Sequence, residues 1–246
     1  MLGIVPTTYR GDDRTPSPGE VDRWSRLGVA GLGSGVQNAV LLLSQVIVGV
    51  SDLDAASERL RCAGFAVRDG GRHPELGTAN RVVPLGAQYL ELLGVVDPTL
   101  AVNNEFGRSL IKHIEGGERI VRWSLRTFDI ESVAAELGLA VEHRSRLRPD
   151  GVRLTWRAAG LGLSLVDGWL PFFMQWDDPS DYPGTMSVAH TNGATGVAWL
   201  ELTPGDPAQL ERWLHRAHVS LRLVDGVPGV HAMGIRTRHG EYEIRP

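Results

Sequence analysis

The stretch that decides the fold is Gln45–Gly64, QVIVGVSDLDAASERLRCAG. Val46, Val48 and Val50 alternate with Gln45, Ile47 and Gly49, the period of two of a strand. The valines therefore belong to the helix-packed face of a sheet, and Gln45, Ile47 and Gly49 to the other face. Asp52 has the side chain to cap a helix; Leu53, Ala56, Leu60 and Ala63 follow at helical spacing, and Gly64 is the stop. The same order of signals occurs twice more. Arg122–Phe128 reads as a strand, Asp129 as a cap, Ile130, Val133, Ala134 and Leu137 as a buried stripe, and Gly138 as the stop. Val197–Thr203 is a third strand, followed by Asp206 as cap, Pro207 at the first helical position, and Leu210, Trp213, Leu214 and Ala217 as the stripe. Asp52 and Asp129 are 77 residues apart, and so are Asp129 and Asp206. A fixed period of this kind marks an internal repeat.

Outward from each helix the chain reads as three short strands: 65–68, 80–85 and 88–95, then 139–143, 152–157 and 171–176, then 220–224, 230–237 and 241–244. Arg148-Pro149-Asp150-Gly151 supplies a turn. Each unit is βαβββ, with too few strands to close around a core alone, so neighbouring units are expected to pack together. The fold class is α+β, with tandem βαβββ modules forming a cupped mixed sheet. Two modules, about 43–117 and 118–190, make one domain over 39–190. Residues 191–246 form a third, partial module. Residues 1–38, rich in Gly, Pro, Asp and Arg and lacking either period, are expected to be a flexible tail.

Composition removes several function classes. The 246 residues carry 25 basic and 29 acidic side chains, a formal net charge of -4, so no global field holds a polyanion and nucleic acid is not an expected partner. The longest nearly apolar run, Ala39–Val50, is well short of the roughly 20 residues that span a bilayer. With no secretory pattern near Met1, the expectation is a cytoplasmic protein without membrane contact. Cys62, the single cysteine, excludes an internal disulfide and a multi-thiolate metal site, and its helical position suggests a half-buried, inert thiol. Gly31, Gly33 and Gly35 lack the strand and helix that a dinucleotide loop needs, and Ser34 lacks the setting of a nucleophile elbow.

Several phrases, Arg72-His73-Pro74, Gly77-Thr78-Ala79-Asn80, Tyr89–Leu93 (YLELL), Arg146–Gly151 (RLRPDG) with Leu154 and Trp156, and Leu170–Phe173 (LPFF) with Trp176, resemble the glyoxalase-like subfamily of the vicinal oxygen chelate superfamily. The resemblance runs from about Leu43 to His190. It implies a cup whose metal ligands come from the first and last strands of each module, here Gln45, Glu91, Arg122 and Gln175. This set holds one carboxylate, two amides and a guanidinium, and a guanidinium neither coordinates nor loses its proton. No cofactor is therefore expected; should a divalent metal bind, Gln45 and Glu91 are its ligands.

One reading of these residues is anion recognition by Arg122, with Arg126 two residues on and on the same face. Glu91 is the candidate catalytic residue, as a general base, and His73, Asn80, Tyr89, Trp156 and Gln175 are candidate substrate-binding residues. Against it stands an internal Glu91–Arg122 ion pair that fills the cup, the favoured of the two because buried charges are usually paired within the protein. The implied function is binding of a small, anionic or polar-aromatic metabolite, with lyase, isomerase or dioxygenase-type chemistry if it is turned over. The alternative is a non-catalytic protein that sequesters a toxin or antibiotic. A homodimer is expected from unpaired sheet edges. Arg146 and Arg148 could clamp a ligand but are expected to pair with Asp150 or face solvent. Trp123 is expected to pack under the second helix, and His190 to fix a turn.

Overall fold

The computed structural model describes residues 40–148 and 150–246. The expected tail, residues 1–38, lies outside the described residues. The first module comprises β1 (Leu41–Gly49), α1 (Leu53–Cys62), β2 (Arg68–His73), β3 (Thr78–Pro84) and β4 (Tyr89–Val95). Two helices that the sequence reading did not foresee follow, α2 (Pro98–Ala101) and α3 (Glu105–Ile114). The second module comprises β5 (Arg119–Arg126), α4 (Ile130–Leu137), β6 (Val141–Leu147), β7 (Arg153–Ala159), an unforeseen helix α5 (Leu161–Val166) and β8 (Phe172–Trp176). The C-terminal unit holds β9 (Gly196–Thr203), α6 (Pro207–Leu214), β10 (Ala217–His218), β11 (Leu221–Leu223), β12 (Gly229–Thr237) and β13 (Gly240–Ile244).

The three repeated helices start where the aspartates place them. Asp52 Oδ1 accepts from the N–H groups of Asp54 and Ala55, both at 2.9 Å. Asp129 accepts from Ser132, and Asp206 from Ala208 and Gln209. Each cap satisfies N–H groups that the helix itself leaves without partners. At the other end of α4, Gly138 adopts φ +68°, the left-handed stop that glycine provides without a Cβ clash.

The strands of the two modules run β1-β4-β3-β2-β6-β7-β8-β5, and β5 pairs back onto β1, so the sheet curls into a barrel. Within each module the first strand lies beside the last and parallel to it, β1 with β4 and β5 with β8. The two halves join antiparallel, β1 to β5 on one side and β2 to β6 on the other. The C-terminal unit has the expected strand-helix-strand order but a different pairing. Its sheet runs β11-β9-β12-β13, so the first strand sits between β11 and β12 and never meets the last. β10 leaves that unit to pair with Leu41 and Leu42 of β1.

Alternation along β1 sorts the core as read. Val46, Val48 and Val50 belong to a large cluster with Trp123, Leu125 and Phe173, which continues into Leu200, Leu202 and Trp213 of the C-terminal unit. Trp123 is fully buried there and donates from Nε1 to the Trp169 carbonyl at 3.1 Å. Ile47 faces the barrel interior with Tyr89, Leu93, Phe172, Met174 and Trp176. Cys62 departs from expectation: it is exposed, because α1 buries Ala56, Ser57 and Leu60 and turns Cys62 outward. Among the described residues no helix is long and apolar enough to cross a membrane.

Candidate functional site

Register places the key side chains before any cavity is considered. On β1, Ile47 lies opposite Glu91 of β4 and also opposite Arg122 of β5. The three residues form one row across adjacent strands and all face the barrel interior. Glu91 and Arg122 are thus separated by the full width of β1, roughly 10 Å between their Cα positions. The Ile47 side chain stands between them. The internal ion pair weighed from the sequence does not form, since among the described residues neither Glu91 nor Arg122 has an oppositely charged partner within 4.0 Å.

The interior encloses a cavity of about 420 Å³, within the range of small-molecule sites. Gln45, His73, Asn80, Tyr89, Glu91, Arg122 and Trp156 all contribute to its wall. Two expected members do not. Gln175 lies on the opposite face of β8, where its Oε1 accepts from the Ile130 N–H at 2.9 Å and so fixes the start of α4. Its neighbours Phe172, Met174 and Trp176 take the inward positions instead. Arg126 is outside the cavity wall, with its guanidinium 4.8 Å from the centre of the Tyr182 ring.

Arg146, expected to pair with Asp150 or face solvent, is instead buried, lines the cavity and donates to the Gly70 carbonyl across the junction of β2 and β6. Alternation along β6, which puts Glu142, Arg144 and Arg146 on one face, was the signal that could have found it. Sequence reasoning passed over Phe106 of α3 and Leu161 of α5, which close over the strands. Asn104 caps α3 by accepting from Gly107 N–H at 2.7 Å, and so sets where Phe106 enters the site.

The charges are held in distinct ways. Asn80 Nδ2 donates to Glu91 Oε1 at 2.8 Å. Burial pushes the Glu91 carboxyl above its ordinary value, while that hydrogen bond and the charges of Arg146 and Arg122 pull it back. Arg122 donates to the Leu161 carbonyl and lies 5.2 Å from the centre of the Phe106 ring and 5.7 Å from that of Phe172. Burial, then the charge of Arg144, brings it down to about 10, so it remains a cation at neutral pH. His73 is pushed down to about 4 by burial and by Arg146, and its Nδ1 sits 3.0 Å from Thr78 Oγ1. The Tyr89 hydroxyl is raised well above its usual range by burial and by Glu91. Glu142 and Arg144 pair with each other in the cavity wall.

The divalent metal implied by the resemblance does not fit this donor set. No group of three or more His, Cys, Asp or Glu side chains capable of holding a metal occurs among the described residues. The row offers a single carboxylate, and Arg122 would set a fixed positive charge against a dication. Arg148 pairs with Asp150 as expected. His190 fixes the chain rather than the site, accepting from Ala66 N–H at 2.9 Å through Nδ1, with Nε2 at 2.6 Å from the Pro84 carbonyl.

Comparison with known proteins agrees with this architecture. A family model described as a glyoxalase-like domain matches residues 45–218. No curated protein matches the chain. Among solved structures, a hypothetical protein from Staphylococcus aureus is 17% identical, with a TM-score of 0.61 over 84% of this chain and 100% of that one. A methylmalonyl-CoA epimerase from Mycobacterium tuberculosis is 16% identical, with a TM-score of 0.38 over 58% of this chain and 90% of that one. A mutant 4-hydroxymandelate synthase from Streptomyces coelicolor is 13% identical, with a TM-score of 0.40 over 82% of this chain and 61% of that one.

Proposed function

This chain belongs to the glyoxalase-like domain family of the vicinal oxygen chelate superfamily, and we propose that it binds a small organic anion in the barrel cavity, with Arg122 as the anchor and Glu91 as the proton-transfer group. The observation that carries the reading is the state of Arg122. It is a buried cation in a largely apolar cavity whose contacts are a carbonyl and two aromatic rings rather than a carboxylate. Burying a charge without a counterion is costly, and a ligand carboxylate relieves that cost through charge-assisted hydrogen bonds. Arg122 Nε is buried and without a partner among the described residues, so the guanidinium is not fully satisfied by its own surroundings.

The remaining walls suit the rest of such a molecule. Phe106, Phe172, Trp156 and Trp176 offer aromatic surface, with Trp156 and Trp176 in contact at a centroid distance of 5.2 Å. Glu91 lies across Ile47 from the anchor, and burial, by raising its pKa, makes its carboxylate a stronger base than an exposed one. In this scheme a C–H proton beside the bound carboxylate passes to Glu91. The electron pair is delocalised onto the carboxylate oxygens that Arg122 holds, and the proton then returns to the same carbon. Nothing is oxidised or reduced. Asn80 keeps the Glu91 carboxylate in place throughout.

Calorimetric titration with a panel of small monocarboxylates tests the anchor. Arg122→Gln is expected to weaken binding at least tenfold while its melting temperature confirms folding. Equal binding by the variant would remove the anchor reading. Deuterium exchange of bound acids in D2O, followed by NMR, tests the second role. Exchange that is lost in Glu91→Gln with binding retained supports proton transfer, whereas binding without exchange in the unaltered protein leaves a sequestering protein.

A further inference from the structure

We infer that the ligand of this cavity is a monoanionic acid that also carries an uncharged hydroxyl, which Gln45 recognises. The inference rests on the reading of Arg122 as anion anchor and adds a second point of recognition beside it. Gln45 Oε1 is buried and has no partner among the described residues, although Gln45 lines the cavity. A buried polar atom left without a hydrogen bond is destabilising, so a partner supplied by a ligand is worth binding free energy. Gln45 lies opposite Ser124 of β5, and its neighbour Ile47 lies opposite Arg122. Gln45 and Arg122 are therefore diagonal neighbours on the inner face, with Cα positions about 8 Å apart. One small molecule can reach both.

The other unpartnered acceptor in the wall has a different explanation. Asn80 Oδ1 packs against Gly70, where an added Cβ would come within 2.1 Å of it. That oxygen is closed off by backbone and is not a ligand contact. Trp176 Nε1, unpartnered as well, is a donor and adds to the set that suits an anion.

Charge selects the hydroxyl over an ammonium. Glu91 already faces both Arg146 and Arg122, and Glu142 and Arg144 neutralise each other. Glu105, the third carboxylate of the wall, is exposed on the first turn of α3, so among the buried groups Arg122 and Arg146 face the single carboxylate Glu91, an excess of one positive charge that a monoanion balances and a zwitterion does not. A hydroxyl both donates and accepts, so it satisfies either end of the Gln45 carboxamide.

Three probes that share a phenyl body separate the possibilities: 3-phenylpropanoate, 3-phenyllactate and phenylalanine, titrated calorimetrically at pH 7.5. The expected result is that 3-phenyllactate binds about five- to tenfold more tightly than either of the others. In Gln45→Met that advantage disappears while 3-phenylpropanoate binds as before; Gln45→Leu serves the same purpose should the first variant not fold. Equal affinity for 3-phenyllactate and 3-phenylpropanoate overturns the inference and leaves the anchor standing, as does an advantage that survives in both Gln45 variants. Tighter binding of phenylalanine overturns the charge argument and with it the inference. Affinities unchanged in Arg122→Gln, or no saturable binding of any probe, overturn the anchor and the inference together.

Discussion

Along the seam between β1 and β5 the two modules pair from Leu42 opposite Arg126 to Gly49 opposite Arg119, with register shifts at Ser44 and Val121, whereas along the seam between β2 and β6 only Arg72 and Leu147 face each other. The first seam is a long ladder, shifted in register at two points and backed by Val46, Trp123 and Leu125 in the main core. The second is held by a thin strip of backbone and by one side chain, Arg146, which donates to the Gly70 carbonyl. The difference teaches where rigidity and charge reside. Arg122 and the Glu91–Ile47–Arg122 row rest on the firm joint, while Arg146 and His73 sit beside the loose one. Geometry that must be exact for an anchor is thus separated from the region where the barrel opens at least cost.

The firm seam can be broken by removing what backs it. Trp123→Ala deletes a fully buried indole and is expected to cost about 3–5 kcal/mol by urea denaturation, the largest of these effects. At the loose seam, Gly71 has φ +156° and an added Cβ would lie 2.2 Å from the Leu147 carbonyl oxygen. Gly71→Ala is expected to cost roughly 2 kcal/mol, with hydrogen exchange accelerating in β2 and β6 and not in β1 and β5. Acceleration spread evenly over both pairs would erase the distinction between the seams.

Titration sharpens the comparison further. His73 ionises at about 4 in the folded protein against 6.5 when free, so between those values the unfolded chain binds the extra proton. Stability linked to this group is therefore present above pH 6.5 and is lost as pH falls through 4, on the order of 3 kcal/mol. Glu91, raised in the folded state, acts in the opposite sense: its contribution is complete in acid and is lost as pH rises through its folded value. Comparing unfolding of the unaltered protein and His73→Gln at pH 7 and pH 4.5 isolates the first effect, which the variant should lack. Arg148 forms an exposed pair with Asp150 just beyond β6, and Arg148→Ala is expected to leave the melting temperature unchanged within error.

Much of the architecture was legible where polarity alternates with position. Along β1 the valines and Gln45 announce their faces, and Glu91 is unmistakable among Leu90, Leu92 and Leu93. In β8 the carry-over from the family resemblance failed: it set Gln175 in the cup, and with Phe172, Phe173, Met174 and Trp176 all apolar, nothing in the strand's own pattern contradicts it. Gln175 points outward because α4 needs an acceptor for the Ile130 N–H. Arg146 was hidden by the turn that follows it, which drew attention to Asp150 and solvent. The segment from Pro98 to Ile114 was passed over although Asp97 and Asn104 are capping residues and Phe106, Leu110 and Ile114 repeat at helical spacing. The repeat itself predicted the elements of the C-terminal unit but not its pairing, since strand order depends on long-range contacts that a local period does not encode.

The small strand β10 has a practical implication. By lying alongside Leu41 and Leu42 it extends the edge of β1 beyond the reach of β4, whose pairing begins at Gln45. Leu200, Leu202, Leu210, Trp213, Met233 and Ile235 share a single interior with the valines of β1. An excised fragment holding only the two duplicated halves would bare that interior to water and leave the opening residues of its central strand without a neighbour on the β10 side, so a recombinant version trimmed near His190 should be recovered as aggregate.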